Sequence, residues 1–492
     1  MISKQVILVL TLIFITGCAV KKENPKPPNI LWIIVEDMSS HFGYQGEALV
    51  TTPHIDQLAK QGVVYNNAYV SAPVCSASRS AMITGMYQTS IGAHHHRSSR
   101  GKEKIHLPEK LKTIPKLFKE AGYYTSNSQE QYDKKGKEDY NFDYDSSQLY
   151  DGTDWSNRAD VQPFFAQIQL RGGKLRNVPK WQEEVVSGLD ASVIVTPNQV
   201  DLPPYYPKDP VFLQDWADYL NNVSFTDVEV GKIMARLEKD NLLENTVVFL
   251  ITDHGISQAR GKQFLYDEGT RIPFVVWAPK LFEPQINQDL ISHIDMSATS
   301  LQLAGIPIPE TMEARPLLGE SYTPREFIVS ARDRCDETVD HIRSVRKGKF
   351  KYIKNYLPNR PYLQPCDYKD LKPWMSVLHQ LDQQGELTET QQLVTAKKRP
   401  TEEFYDLSVD PYEIHNLADN KAYASYLNEL RGLLDTWIQE TGDQGMNPES
   451  VKNYESDMEA YLTPFRKRGK MERVKNIEAN MALMKQWAKE GK

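Results

Sequence analysis

Three sets of reactive side chains stand far apart in this chain, and each is of a type that handles anions or metal ions. In Ser71-Ala72-Pro73-Val74-Cys75-Ser76-Ala77-Ser78-Arg79, a cysteine sits among small residues, four positions before an arginine. The stretch reads as the start of a helix, which puts Arg79 near Cys75 and makes the helix N-terminus favourable to an anion. Glu36-Asp37 and Asp253-His254 are pairs of metal-capable side chains, and carboxylate oxygens suit a hard divalent cation such as calcium or magnesium. A lone cysteine is more often packing than nucleophile, and one acidic pair is more often a solvated strand end. Two pairs together with the cysteine point instead to anion transfer.

The elements that must position these groups are legible. Residues 30–35 (Ile-Leu-Trp-Ile-Ile-Val) and 246–252 (Thr-Val-Val-Phe-Leu-Ile-Thr) are nearly continuous apolar runs, the pattern of parallel strands buried on both faces. Each pair follows such a run, where open α/β sheets bind ligands. Thr52-Pro53 opens a helix that Gly62 closes. Another helix is predicted near 113–121, a strand over 163–170, irregular chain over 174–210, and helix over 212–239 in one or two pieces. A strand over 274–277 and a helix over 295–303 follow. After about Tyr322 the pattern changes. Strands at 326–330, 349–356 and 404–407 suggest a smaller, partly antiparallel subdomain, followed by helix from about 423 and a polar helical tail from 467. The expected division is a leader over 1–17, a tether over 18–28, a catalytic domain over 29–322, a C-terminal subdomain over 323–440 and a helical tail over 441–492.

The net charge of −7 over 492 residues is spread without long like-charge blocks, which argues against a nucleic-acid surface. The apolar run over 6–15 is too short to span a bilayer and ends Ile15-Thr16-Gly17-Cys18. That ending resembles a bacterial lipobox, which implies lipidation at Cys18 and a protein anchored to a membrane in the periplasm or at the cell surface. Of the remaining cysteines, Cys335 and Cys366 could pair in an oxidising compartment or stay free.

Cys75-Ser76-Ala77-Ser78-Arg79 with Thr84-Gly85 downstream is similar to the signature of the type I, formylglycine-dependent sulfatases. Residues 27–37, 52–59, Thr252-Asp253-His254-Gly255 and 404–413 resemble further segments of that family, in order. The resemblance implies an alkaline-phosphatase-like α/β/α sandwich with a smaller C-terminal α+β subdomain. It also implies that a maturase oxidises Cys75 to formylglycine. One oxygen of the hydrated aldehyde then attacks sulfur, and the second hydroxyl expels sulfate. Glu36, Asp37, Cys75, Asp253 and His254 would hold the metal, calcium before magnesium. Arg79 would offset charge at the nucleophile and Lys262 would bind the sulfate. The sequence departs from the family pattern at Glu36, Ala77 and His254. It also lacks the family's Gly-Lys-x-His segment and a later histidine. Lys137 in Lys137-Glu138-Asp139-Tyr140-Asn141 is the candidate for contact with the leaving oxygen, and His94, His95, His96 and Lys174 are candidate proton donors.

The stretch around Arg332-Asp333-Arg334, His341 and Arg343 resembles carbohydrate sulfatases of the heparan N-sulfatase-like subgroup. Lys174, Arg334, His341 and Arg343 could hold an anionic sugar, or could equally be solvated charges or structural ion pairs; the resemblance implies a sulfated polysaccharide or oligosaccharide as substrate, algal ones included. Arg97 is a further candidate, and Trp155, Tyr205, Tyr206 and Trp216 could stack on sugars or pack the core. Two alternatives accompany this reading: a phosphodiesterase or phosphonate hydrolase of the same fold, and a glycan-binding lipoprotein that has lost catalysis.

Overall fold

The computed structural model describes residues 26–176, 178–319 and 322–492. The expected leader, Cys18 and most of the tether lie outside them. No helix among the described residues is long and apolar enough to cross a membrane.

Eight strands form the main sheet: β1 (Asn29–Val35), β2 (Val63–Tyr69), β3 (Tyr124–Gln129), β4 (Phe164–Leu170), β5 (Thr246–Thr252), β6 (Arg271–Ile272), β7 (Phe274–Trp277) and β8 (Gln285–Ser292). β3, β4, β1 and β5 run parallel, with β1 between β4 and β5. β7 then pairs antiparallel with both β5 and β2, and β8 pairs parallel with β2. Pro273 separates β6 from β7, since proline has no N–H to give a ladder. Side chains of β1 alternate between two cores: Leu31, Ile33 and Val35 face one, and Ile30, Trp32 and Ile34 face the other. The first core is covered by a 30-residue helix, Pro210–Lys239, whose N-cap Asp209 accepts from the Val211 N–H at 2.7 Å. The second is covered by helices Ile114–Glu120 and Asp295–Leu303. The chain is therefore a mixed α/β sandwich.

A second sheet, antiparallel throughout, holds β9 (Ile328–Arg332), β10 (Ile342–Lys347), β11 (Phe350–Asn355) and β12 (Glu402–Asp406) in the order β12-β11-β10-β9. It is fastened to the segment leading into Cys75: the Ala331 N–H donates to the Ser71 carbonyl at 2.8 Å, and Ser330 Oγ to the Val70 carbonyl at 2.6 Å. Helices Ala424–Thr441, Val451–Lys467 and Met471–Lys489 complete the C-terminal part.

The sequence pattern does not mark β2, β3, β6, β8 or β10. β3 reads Tyr-Thr-Ser-Asn-Ser-Gln, and its buried polar groups are tolerated because they are hydrogen-bonded, as in Asn127 Nδ2 to the Gly136 carbonyl at 3.2 Å. β8 begins in exposed polar residues and is buried only at its end. The segment expected to be irregular over 174–210 contains a helix, Pro179–Ser187, started by proline at its first position. The helix over the first core is one piece.

Candidate active site

Parallel pairing sets the site. Val35 stands opposite Thr252, so the residues after β1 and β5 emerge side by side at the carboxyl edge of the sheet. The Asp253 N–H donates to the Val35 carbonyl at 2.9 Å, and the Asp37 N–H to Asp253 Oδ1 at 3.1 Å. Asp37 takes up φ +55, the left-handed region, which turns its carboxylate back toward β5. After His254 the chain turns at Gly255, where any side chain would strike the Glu268 carbonyl.

Cys75 is the first residue of the helix Cys75–Thr84, every residue of which is buried. The helix ends in a left-handed glycine, Gly85. Ser78 ties it to the β5 edge, with Oγ donating to the Asp253 carbonyl at 2.5 Å. Pro73, two residues before Cys75, accepts from the Gln263 N–H at 2.8 Å, so the Cys75 turn and the Lys262 loop are held together.

The ligand atoms of Asp37, Cys75, Asp253 and His254 all lie within 4.8 Å of one another, and all four residues are buried. Cys75 Sγ is 3.2 Å from His254 Nε2 and 3.2 Å from Lys262 Nζ. Lys262 Nζ also donates to both Asp37 oxygens, at 3.2 and 3.3 Å. Arg79 lies one turn along the helix and places Nε and Nη2 each 3.0 Å from Asp253 Oδ2, with Nη1 2.6 Å from Gln169 Oε1. His254 Nδ1 is 2.9 Å from the Gly255 carbonyl, which leaves Nε2 facing Cys75.

The charges follow from this packing. Burial opposes ionisation of Cys75, but Lys137, Lys262 and His254 outweigh it and bring the thiol down to about 6. Burial likewise opposes Asp37 and Asp253. Lys262 and His254 hold Asp37 below the usual carboxylate range, and His254 and Arg79 hold Asp253 well below it. Burial works against protonating His254, yet Asp253 raises it. Two carboxylates and a thiol shifted toward ionisation thus face Lys262, Arg79 and a histidine whose basicity Asp253 raises. Two hard oxygen donors and a histidine nitrogen converging on one point fit a divalent cation.

Other candidates fall in different places. Glu36 is outside the four-residue group: Lys137 Nζ reaches it at 2.9 Å, Lys174 Nζ contacts it, and Arg79 Nη2 stands 3.9 Å away. Lys137 also lies 3.4 Å from Asp139, which takes Arg97 at 2.7 and 2.9 Å. Of the three consecutive histidines, His96 reaches the Cys75 helix, with Nδ1 2.9 Å from Ser76 Oγ. The His94 and His95 rings meet at a tilt of 54° with centroids 4.2 Å apart, and His95 lies 3.8 Å from Glu449 of the C-terminal part.

Arg334 and Arg343 are engaged in ion pairs, the structural one of the two roles the sequence leaves open. Arg343 is fully buried and clamps Asp443 (2.6 and 3.0 Å) and Asp333 (3.2 Å). Arg334 is spent on Glu449 (2.6 and 2.8 Å) and Asp457 (2.7 Å). His341 stacks on Tyr356 at 4.2 Å and lines a separate cavity of about 550 Å³ beside the C-terminal helices. The four aromatics are core residues. Tyr206 Oη accepts from the Arg260 N–H at 3.2 Å and Tyr205 stacks on the Arg260 guanidinium, bracing the Lys262 loop. Trp155 and Trp216 are buried in the first core. Cys335 and Cys366 are free thiols that both accept from Gln263 Nε2, at 3.0 and 3.8 Å.

Three site residues escaped sequence reading. Gln169, next to last in β4, lies beside Arg79, and nothing in a single sequence marks it. Asp139 sits two residues after Lys137, inside a segment already singled out. Tyr368 comes from the C-terminal part, with its hydroxyl 3.4 Å from Asp37 Oδ2 and its ring centroid 4.9 Å from Lys262 Nζ.

The family model described as Sulfatase matches residues 28–306, and the one described as N-sulphoglucosamine sulphohydrolase, C-terminal, matches residues 254–362. The chain is 34% identical to an ulvan-active sulfatase of Formosa agariphila, over 88% of this chain and 78% of that one. It is 24% identical to human N-sulphoglucosamine sulphohydrolase, over 85% and 91% respectively. The solved structure of a 2-O GAG sulfatase superposes with a TM-score of 0.60 at 19% identity, covering 87% of this chain and 96% of the other.

Proposed function

The chain belongs to the sulfatase family, and from that premise we propose that it removes sulfate esters from a sulfated polysaccharide or oligosaccharide at the Cys75 centre. The observation that carries this reading is the convergence of Asp37, Cys75, Asp253 and His254 within 4.8 Å, with Lys262 on both Asp37 and Cys75. In this reading residue 75 acts as formylglycine, whose hydrate supplies the oxygen nucleophile and a second hydroxyl to release sulfate. The same four positions would hold a divalent cation, calcium by its preference for oxygen donors, and Glu36 would join them through the carboxylate now shared by Lys137 and Lys174. When bound, the cation polarises a sulfate oxygen and favours the ionised nucleophile.

The chain's own residues do the rest. Lys262 faces the reacting centre and takes sulfate oxygens. Arg79 keeps Asp253 oriented and ionised. Lys137, held between Glu36 and Asp139, offers an ammonium to the leaving oxygen. His96, held 2.9 Å from Ser76 Oγ on the Cys75 helix, would be the histidine that faces that oxygen. Its pKa is lowered to about 3 by burial, so it is neutral at pH 7 and would act by orientation rather than charge. Relatives that act on ulvan and on N-sulphoglucosamine support a carbohydrate substrate. A maturase-dependent, lipid-anchored enzyme of the periplasm or cell surface completes the proposal.

The test is a screen of sulfated oligosaccharides against phosphodiesters, using the matured protein. Free sulfate from at least one glycan supports the reading. Faster turnover of phosphodiesters refutes it in favour of a phosphodiesterase.

A further inference from the structure

The cations around Cys75 are accounted for one by one. Lys262 holds Asp37, Arg79 holds Asp253, Lys137 and Lys174 share Glu36, Arg97 holds Asp139, Arg176 holds Asp215, and Lys369 donates to the Gln258 carbonyl at 3.2 Å. Lys372 differs. Among the described residues its ammonium has no hydrogen bond and no carboxylate within ion-pair distance; it lies over the Tyr368 ring, 5.1 Å from the centroid.

Lys372 is nevertheless close to the chemistry. It caps the helix Pro373–Gln384, immediately after the short helix Asp367–Asp370 that delivers Tyr368 to Asp37. Lys262 Nζ lies 4.9 Å and Lys372 Nζ 5.1 Å from the same Tyr368 centroid, so the two ammoniums are no more than 10.0 Å apart, the two distances laid end to end. Lys262 is the residue that touches Cys75, at 3.2 Å. Lys372 is half-buried, and the field it feels is unbalanced. Burial, then Arg176, pull its pKa down to about 8, and Lys262 adds to this; Asp37 and Asp215 push the other way but are already engaged by Lys262 and by Arg176. A partly desolvated cation without a counter-ion is costly, and an arriving anion removes that cost.

We propose that Lys372 receives a second anionic group of the substrate, a carboxylate or a second sulfate on the sugar next to the one whose sulfate ester is cleaved. The enzyme is then selective for multiply charged oligosaccharides, because a neutral neighbouring sugar leaves Lys372 unpaired. This rests on the sulfatase reading above and names the chemistry of the substrate beyond the scissile group.

The test uses the full chain and two pairs of disaccharides. One pair carries a sulfate ester with or without a carboxylate on the neighbouring sugar, the latter made by carboxyl reduction. The other carries two sulfates or one. Binding to the unmodified, calcium-loaded protein is measured by calorimetry, and sulfate release is measured with the matured protein. Lys372→Gln is expected to weaken binding of a doubly charged member at least ~10-fold and raise its KM in parallel, with kcat little changed. Its singly charged counterpart should move less than about twofold, and Lys372→Arg should keep most of the preference. Whichever pair responds identifies the second anion. The inference is overturned if the wild type does not prefer the doubly charged member of either pair, or if Lys372→Gln affects both members equally. A preserved binding preference without sulfate release from any probe would sink the sulfatase reading and leave the Lys372 site standing. Sulfate release without that preference would do the reverse.

Discussion

Replacing Lys262 with methionine tests the electrostatics of the site at its centre. The perturbation removes one charge and keeps most of the side-chain volume. At 3.2 Å and an effective dielectric of about 20, the Lys262–Cys75 attraction is about 5 kcal/mol. At about 1.4 kcal/mol per pH unit that is almost ~4 units of thiol pKa. Loss of Lys262 also leaves Asp37 uncompensated beside the thiol, which pushes in the same direction, while water entering the gap screens part of the effect. The thiol should therefore rise from about 6 by roughly 2 units or more. The assay is thiolate absorbance against pH on unmodified protein with chelator present. With Cys18 replaced by serine, the two remaining thiols are both raised by burial, Cys366 to about 12 and Cys335 well above its ordinary value, so the first absorbance step belongs to Cys75. The linkage sign is definite. The folded Cys75 value lies below the ordinary 9.0, so the thiolate contributes stability that is full above 9 and is lost as pH falls through 6. In Lys262→Met the thermal midpoint should fall less steeply over that interval. A Cys75 midpoint within half a unit of wild type would refute the reasoning.

Arg343→Met should destabilise the fold by about 3–5 kcal/mol, read by denaturant melts, because it strands Asp333 and Asp443. At temperatures where the variant stays folded its KM should be unchanged; a raised KM would restore Arg343 as a substrate contact. Asp253→Asn should abolish thermal stabilisation by calcium, seen as a melting temperature that no longer responds to the cation, since the substitution removes the carboxylate at the centre of the ligand group. Glu413→Gln should weaken turnover through the Lys262 loop. The Glu413 carboxylate pairs with Lys351 at 2.8 Å and accepts from the Asp267 N–H at 2.7 Å, which fixes the segment whose backbone carbonyl holds Arg260 at 2.7 Å; loss of the charge loosens that segment, so kcat should fall several-fold while calcium stabilisation persists.

Sequence reading succeeded where local pattern decides structure. β1 and β5 are apolar runs with no competing interpretation, and their parallel pairing brings Asp37 and Asp253 together without further information. The start of the Cys75 helix was equally visible. Partners remote in sequence are not legible. The Arg332-Asp333-Arg334 run resembles an anion-binding surface, yet Arg334 is neutralised by Glu449 and Asp457, more than a hundred residues later in sequence. Tyr368 and Lys372 look like ordinary residues of a C-terminal segment until the fold inserts them beside Lys262. β3 was missed for a different reason: its polar side chains are buried and satisfied by hydrogen bonds, which reverses the usual correlation between polarity and exposure.

The central claim is that Cys75 becomes the nucleophile of a sulfate-ester hydrolase. The most direct measurement takes protein co-expressed with a formylglycine-generating maturase and follows two quantities across preparations of varying maturation. These are the fraction of the Cys75 peptide found as aldehyde by mass spectrometry and the rate of sulfate release from a sulfated oligosaccharide. The two should rise in proportion, with none of the activity surviving in Cys75→Ala. Sulfate release from protein whose Cys75 is wholly thiol, or fully converted protein that releases none from any sulfated glycan, would contradict the account.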